Sequence, residues 1–118
     1  SWMIPREELP ELQRVIDQLL EFRKRHGTII TSGYVFQRMM QFFETGGVPN
    51  CRAGEKFLVV NPAGTLSPCG LIIGSYRDQK DVVESFLRHN TCEACNTSIR
   101  ANTEKPWRVL LADTLRTR

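Results

Sequence analysis

Four cysteines confined to residues 51–95 limit what this chain can become more than any other feature. Cys51 and Cys69 stand eighteen residues apart, and Cys92 and Cys95 follow as a C-x-x-C pair. Between the first two runs KFLVVNPAGTLSPC, in which two apolar stretches flank Asn61-Pro62-Ala63-Gly64. Asn and Gly tolerate the backbone angles a turn demands and Pro pre-sets one of them, so the segment predicts a β-hairpin. Pairing about residues 62–63 sets Cys69 opposite Lys56 or Phe57, at the open end of the hairpin and a few residues from Cys51. A C-x-x-C loop brought against that end completes a pocket of four thiolates. Cys51, Cys69, Cys92 and Cys95 are therefore the candidate ligands, both as metal site and as cofactor site.

Four thiolates serve several chemistries. Soft sulfur donors in a tetrahedral set suit Zn²⁺ or an iron–sulfur cluster. Two disulfides are a further option, expected mainly of small domains in oxidising compartments. A C-x-x-C near a helix is also a redox dithiol pattern. The count alone does not choose. Local residues add constraints: Gly64 closes the turn where a side chain would resist it, and Pro68 removes a backbone donor just before Cys69, which suits a strand end or edge.

The residues around the cysteines carry a resemblance. CRAGEKFLVVNPAGTLSPC resembles the start of the C-terminal auxiliary-cluster region of radical S-adenosylmethionine enzymes, called SPASM or, in its shorter form, twitch. That region opens on a cysteine, followed at a distance by a glycine and then a second cysteine. Here Cys51 is followed by twelve residues, then Gly64, then four residues and Cys69. The C-x-A-G opening, the apolar strand, the P-x-G turn, the P-C-G and the later C-x-x-C all match. A full SPASM domain adds two cysteines, at positions held here by Ala101 and Lys105. The departure favours the twitch form, and the resemblance implies one auxiliary [4Fe-4S] cluster bound by Cys51, Cys69, Cys92 and Cys95. Arg52, Lys56 and the backbone N–H groups near Gly70 are candidates for tuning its potential. The alternative is a structural zinc module with a scaffold or interaction role.

No C-x-x-x-C-x-x-C loop remains for the cluster that cleaves S-adenosylmethionine, because every cysteine is already assigned. The expectation is a C-terminal fragment of a radical S-adenosylmethionine oxidoreductase that does not catalyse the radical reaction alone. Its missing partner is then the N-terminal radical core, which also holds the S-adenosylmethionine. The electron-transfer partner and the substrate stay open.

The rest of the chain reads as helices around this centre, giving an α+β class. Pro10 suits a first helical turn, and Leu12, Val15, Ile16, Leu19 and Phe22 recur at helical spacing up to a Gly27 cap. The basic run Arg23-Lys24-Arg25-His26 reads as a solvated helix end matched to the dipole. Thr28–Thr31 reads as a short strand. Ser32 is an N-cap for a helix over 33–45 presenting Val35, Phe36, Met39, Met40 and Phe43, closed by Gly46-Gly47. In the resemblance, residues 1–47 are the terminal part of a partial (β/α) barrel, a helix–strand–helix remnant. Residues 48–118 are the twitch-like hairpin-plus-helix domain. A remnant cut from its neighbours leaves apolar surface, which either repacks on the cysteine region or pairs with a second copy.

Gly70–Gly74 reads as a third strand or a buried loop. Asp78 caps a helix through about His89 with Val82, Val83, Phe86 and Leu87 inward, and Asn90-Thr91 stops it before Cys92. His89 reads as a helix-end histidine rather than a ligand. Past Cys95 the expectation is a short helix or loop, then a helical or extended segment with a frayed end at 114–118.

The net charge of +3 comes without a basic stripe interleaved with aromatics, so nucleic acid is not an expected partner. No apolar run reaches membrane length. The opening SWMIPREELPEL has neither a basic n-region nor an apolar h-region, so cytoplasmic, reducing conditions are expected. Phosphate-loop, H-E-x-x-H and G-x-S-x-G patterns are lacking.

Overall fold

Helix ends decide where this chain turns, and several of them are made by a single side chain or glycine. The computed structural model describes residues 3–116. Within these lie α1 (Leu9–His26), α2 (Gly33–Thr45), β1 (Val59–Val60), β2 (Leu66–Ser67), α3 (Gln79–Ser85), α4 (Ser98–Thr103) and α5 (Trp107–Arg116), a small α+β fold. Short 3-10 turns precede α1 and follow α3. Among the described residues no helix is long and apolar enough to cross a membrane.

Two compact units divide the chain. One holds residues up to 48, residues 94–96 and residues from 105 on; the other holds 49–93 and 97–104. In the first unit, α1 begins with Pro10 in its first turn and ends at Gly27, whose φ of 67° lets its N–H reach the Arg23 carbonyl at 3.2 Å. Ser32 caps α2, its hydroxyl accepting from the Tyr34 N–H at 3.3 Å, and Gly46 closes it with φ 80°. Ile16 and Met40 are the buried side chains of these two helices' apolar faces, while Val15 and Phe22 are exposed.

Three expectations fail in this unit. Thr28–Thr31 forms no strand, and Ile30 is 81% exposed. A β-branched tetrapeptide gains strand geometry only from a neighbouring strand, and none pairs with it, so the helix–strand–helix pattern is not formed. Arg23 is not part of a solvated terminus. It is buried, and its guanidinium stands 3.7 Å from the Asp113 carboxylate of α5. Asp113 also accepts from Lys105 Nζ at 2.9 Å. Burial pushes the Asp113 carboxyl up, but the hydrogen bonds from Lys105 and Ser32 and the charges of Lys105 and Arg23 outweigh it and hold the group below the ordinary aspartate value. The chain end does not fray at Thr114: α5 runs to Arg116, and 117–118 lie outside the described residues. Its polar Asp113 faces these cations while Trp107, Leu110, Leu111 and Leu115 are exposed.

In the second unit the hairpin pairs Val59 with Ser67 and Val60 with Leu66, and the Asn61 N–H bonds to the Thr65 carbonyl at 2.8 Å. Gly64 takes φ 81°, the left-handed conformation the turn needs. Asn61 does more than turn. Its amide donates to Thr65 Oγ1 and to the Gly74 carbonyl, and its carbonyl accepts from the buried Ser67 hydroxyl at 2.9 Å. The outer edge of β2 is taken by Tyr76, which exchanges two backbone hydrogen bonds with Leu66.

Residues 70–74 are therefore neither a third strand nor a buried loop. They form an exposed turn held by Ser67 and Asn61, with Leu71 69% and Ile73 73% exposed. Asp78 caps α3 as expected, accepting from the Asp81 N–H at 2.9 Å. That helix stops at Ser85 and tightens into the 3-10 turn Leu87–His89, so the single helix expected through His89 is broken. Val82 is fully buried, and Gly54 lies against it: a Cβ there would sit 2.4 Å from Val82 Cγ1.

Candidate metal centre

Cys51 sits in a stretch anchored by distant side chains. It is buried, as are Ala53 and Gly54 behind it. Side chains of Asn90, Glu104 and Arg100 hold residues 49–52 by their backbone, and Gln79 donates to the Gly54 carbonyl at 3.3 Å. The Asn90 amide donates to the Cys51 carbonyl at 2.9 Å. The Glu104 carboxylate accepts from the Arg52 N–H at 2.8 Å, and an Arg100 terminal nitrogen donates to the Pro49 carbonyl at 2.9 Å. Arg100 and Glu104 in turn form an ion pair at 3.2 Å across one turn of α4, with side chains 0% and 7% exposed.

This clamp follows from local sequence. Thr97 caps α4, its hydroxyl accepting from the Arg100 N–H at 3.3 Å. The four-residue spacing then sets Arg100 and Glu104 on one helix face. Burial of the pair is satisfied by backbone groups flanking Cys51, which supply the extra hydrogen bonds a desolvated ion pair requires. Arg100 and Glu104 were invisible as site residues in a stretch that reads as merely polar. The four-residue spacing behind a threonine cap was the available signal.

Asn90 links two of the candidate ligands. Its side-chain oxygen accepts from the Cys92 N–H at 3.0 Å while its nitrogen holds the Cys51 carbonyl. One carboxamide thus spans the two cysteine segments. Burial pushes the Cys51 thiol above its ordinary value; the Ala53 N–H and the Arg100 charge oppose this, and Glu104 and Cys92 add to it. At neutral pH Cys51 is accordingly a protonated thiol, and a metal ion that takes it must displace the proton.

Cys69 has different surroundings. Continuing the hairpin register sets it opposite Phe57, as expected, but the ladder ends at Val59 and Ser67. Phe57 instead closes back on its own segment, its carbonyl accepting from the Gly54 N–H at 2.7 Å, and Cys69 bridges to Ile72. Cys69 therefore opens into the exposed turn. Cys95 is half-buried and belongs to the other compact unit, in residues 94–96.

All four cysteines are free thiols. Among the described residues no three His, Cys, Asp or Glu side chains gather closely enough to hold a metal ion. The donor chemistry of the quartet thus suits a thiophilic metal, while its gathering is incomplete: one pair is tied through Asn90, and the set is not closed. Of the residues expected to tune a cluster, Arg52 directs its guanidinium to Glu55, and Lys56 is exposed. His89 is exposed on the 3-10 turn. Comparison with protein-family models gives no match, and no curated protein or solved structure matches the chain.

Proposed function

We propose that the chain is an iron–sulfur module in which Cys51, Cys69, Cys92 and Cys95 hold one auxiliary 4Fe-4S cluster, serving a radical S-adenosylmethionine oxidoreductase. The observation that carries this reading is the C-x12-G-x4-C hairpin followed by C-x-x-C, with the left-handed turn at Gly64 and all four thiols free. The Asn90 link between the Cys51 and Cys92 segments supports it further. When bound, such a cluster supplies one-electron transfer or a fixed point for substrate, chemistry that side chains alone do not perform.

The chain's own contribution is to hold thiolates and limit water. Cys51 enters from a buried, backbone-clamped segment; Cys69 comes from a turn closed by its bridge to Ile72, and the C-x-x-C from chain turns without helix or strand. Closing the quartet requires those turns to move toward a metal, so ligand binding and local folding are one event. The radical core and the electron partner complete the proposal.

Anaerobic reconstitution with iron and sulfide tests it. A brown protein with a broad visible absorption and four irons per chain is the expected result, lost on substitution of any one cysteine by serine. A colourless protein that retains one zinc while iron and sulfide are supplied would move the assignment to a structural zinc module. A protein that takes up neither metal overturns both.

A further inference from the structure

We infer that Asn90, backed by the Arg100–Glu104 ion pair, is a positioning device that holds Cys51 beside Cys92 before any metal arrives, so that these two cysteines form a pre-built half of the ligand set. The inference rests on the metal-centre reading for its purpose, but its geometry is independent of which metal binds.

The argument is one of fixed points. The segment around Cys51 is gripped at residue 49 by Arg100, at residue 51 by Asn90 and at residue 52 by Glu104. Two of the three grips come from one buried ion pair, whose members cannot leave without stranding a charge. Asn90 adds the lateral link, because the same carboxamide that holds Cys51 also shapes the backbone entering Cys92. An Asx-type bond from a side chain to the N–H two residues on is a local turn device. Its second bond, spanning 39 residues of sequence, is what a local turn does not need. Among the described residues no corresponding side-chain tie reaches Cys69, which bridges to Ile72 within its own turn. A polydentate site assembles faster and binds more tightly when some donors are held in place beforehand, since the ordering cost of those donors is met by the fold.

Disulfide trapping reads the geometry without any metal. In protein carrying Cys69→Ser and Cys95→Ser, the oxidant diamide should cross-link Cys51 to Cys92 intramolecularly, as peptide mapping by mass spectrometry would show. Protein carrying Cys51→Ser and Cys95→Ser, which keeps Cys69 and Cys92 without a tie between them, should cross-link more slowly. Asn90→Ala should slow the Cys51–Cys92 cross-link by about tenfold or more, the effect of losing two hydrogen bonds. Asn90→Ser preserves a hydroxyl to accept from the Cys92 N–H but cannot span to the Cys51 carbonyl, and should be slow as well. Asn102→Ala, on the exposed face of α4, serves as the control and should cross-link at the parent rate. Thermal melting of each variant separates loss of position from loss of fold. In the four-cysteine protein, Co²⁺ titration followed by its sulfur-to-metal charge-transfer band should show weaker binding with Asn90→Ser at unchanged melting temperature. A Cys51–Cys92 cross-link no faster than that of Cys69–Cys92, or one indifferent to Asn90, overturns the inference. A fast, Asn90-dependent cross-link in a protein that takes up no cluster would instead sustain the inference and sink the iron–sulfur assignment.

Discussion

The segments carrying Cys51 and Cys69 make an instructive pair. Both follow a proline by one or two residues. Cys51 lies in a stretch whose neighbours Ala53 and Gly54 are buried and whose backbone is clamped by Asn90, Arg100 and Glu104. Cys69 leads into a turn whose Leu71 and Ile73 stand in solvent. The difference is where the backbone hydrogen bonds go. Around Cys51 they are taken by distant side chains, which ties the segment to the fold; around Cys69 they are closed locally, which leaves the turn able to shift. Under the proposed metal-centre reading, the Cys51 side would be folded before a metal binds and the Cys69 turn would close on it afterwards.

Substitutions can break this contrast. The largest effect belongs to Arg100→Ala. Removing a guanidinium that is 0% exposed leaves Glu104 buried without its cation and the Pro49 carbonyl without its donor. Unfolding free energy measured in urea should fall by about 3–5 kcal/mol. A loss below about 1 kcal/mol, the range of surface pairs, would mean that the clamp carries no weight.

Next is Gly54→Ala. The backbone there has φ 90°, and the added Cβ would stand 2.4 Å from Val82 Cγ1. Strain and overpacking together should destabilise the unit by about 2–4 kcal/mol, seen as a lower denaturant midpoint at unchanged slope. A neutral result would show that the Cys51 side yields as easily as the Cys69 side.

A smaller effect is titratable and lies away from the cysteines. Asp113 is held below the ordinary aspartate value of 3.8, so its contribution is complete above that value and is lost as pH falls through the lower, folded one. Melting curves across the acid range should steepen their decline there, and Asp113→Asn should remove that component of the slope while lowering stability at neutral pH. An acid slope identical in the variant would show that Asp113 is not the group responsible. The smallest change should come from Leu71→Ser. With the side chain 69% exposed, stability should move by no more than about 0.5 kcal/mol. A larger loss would mark the Cys69 turn as packed and erase the contrast.

What could be read from sequence was whatever a few neighbouring residues settle among themselves. Gly27, Ser32, Gly46 and Asp78 were legible as helix ends, because a cap is a bond between a residue and a backbone group within four positions of it. The hairpin turn at Gly64 was legible for the same reason, whereas the expected partner of Cys69 was not formed, since the ladder ends at Val59 and Ser67 and Cys69 bridges to Ile72. Thr28–Thr31 misled because a strand exists only with a partner. Arg23 misled because its carboxylate lies ninety residues away, at Asp113.

The α+β class, the capped helix ends at Gly27, Ser32, Gly46 and Asp78, and the cysteine spacing were thus written in the order of residues alone. Tertiary structure alone decided that Arg100 and Glu104 are buried, that Asn90 spans the Cys51 and Cys92 segments, and that Cys69 bridges within its own turn. Local hydrogen bonds and backbone preferences act over a few residues and leave a mark in sequence. The cost of burying a charge, and the choice of which distant carbonyl satisfies it, exist only once the chain has closed on itself.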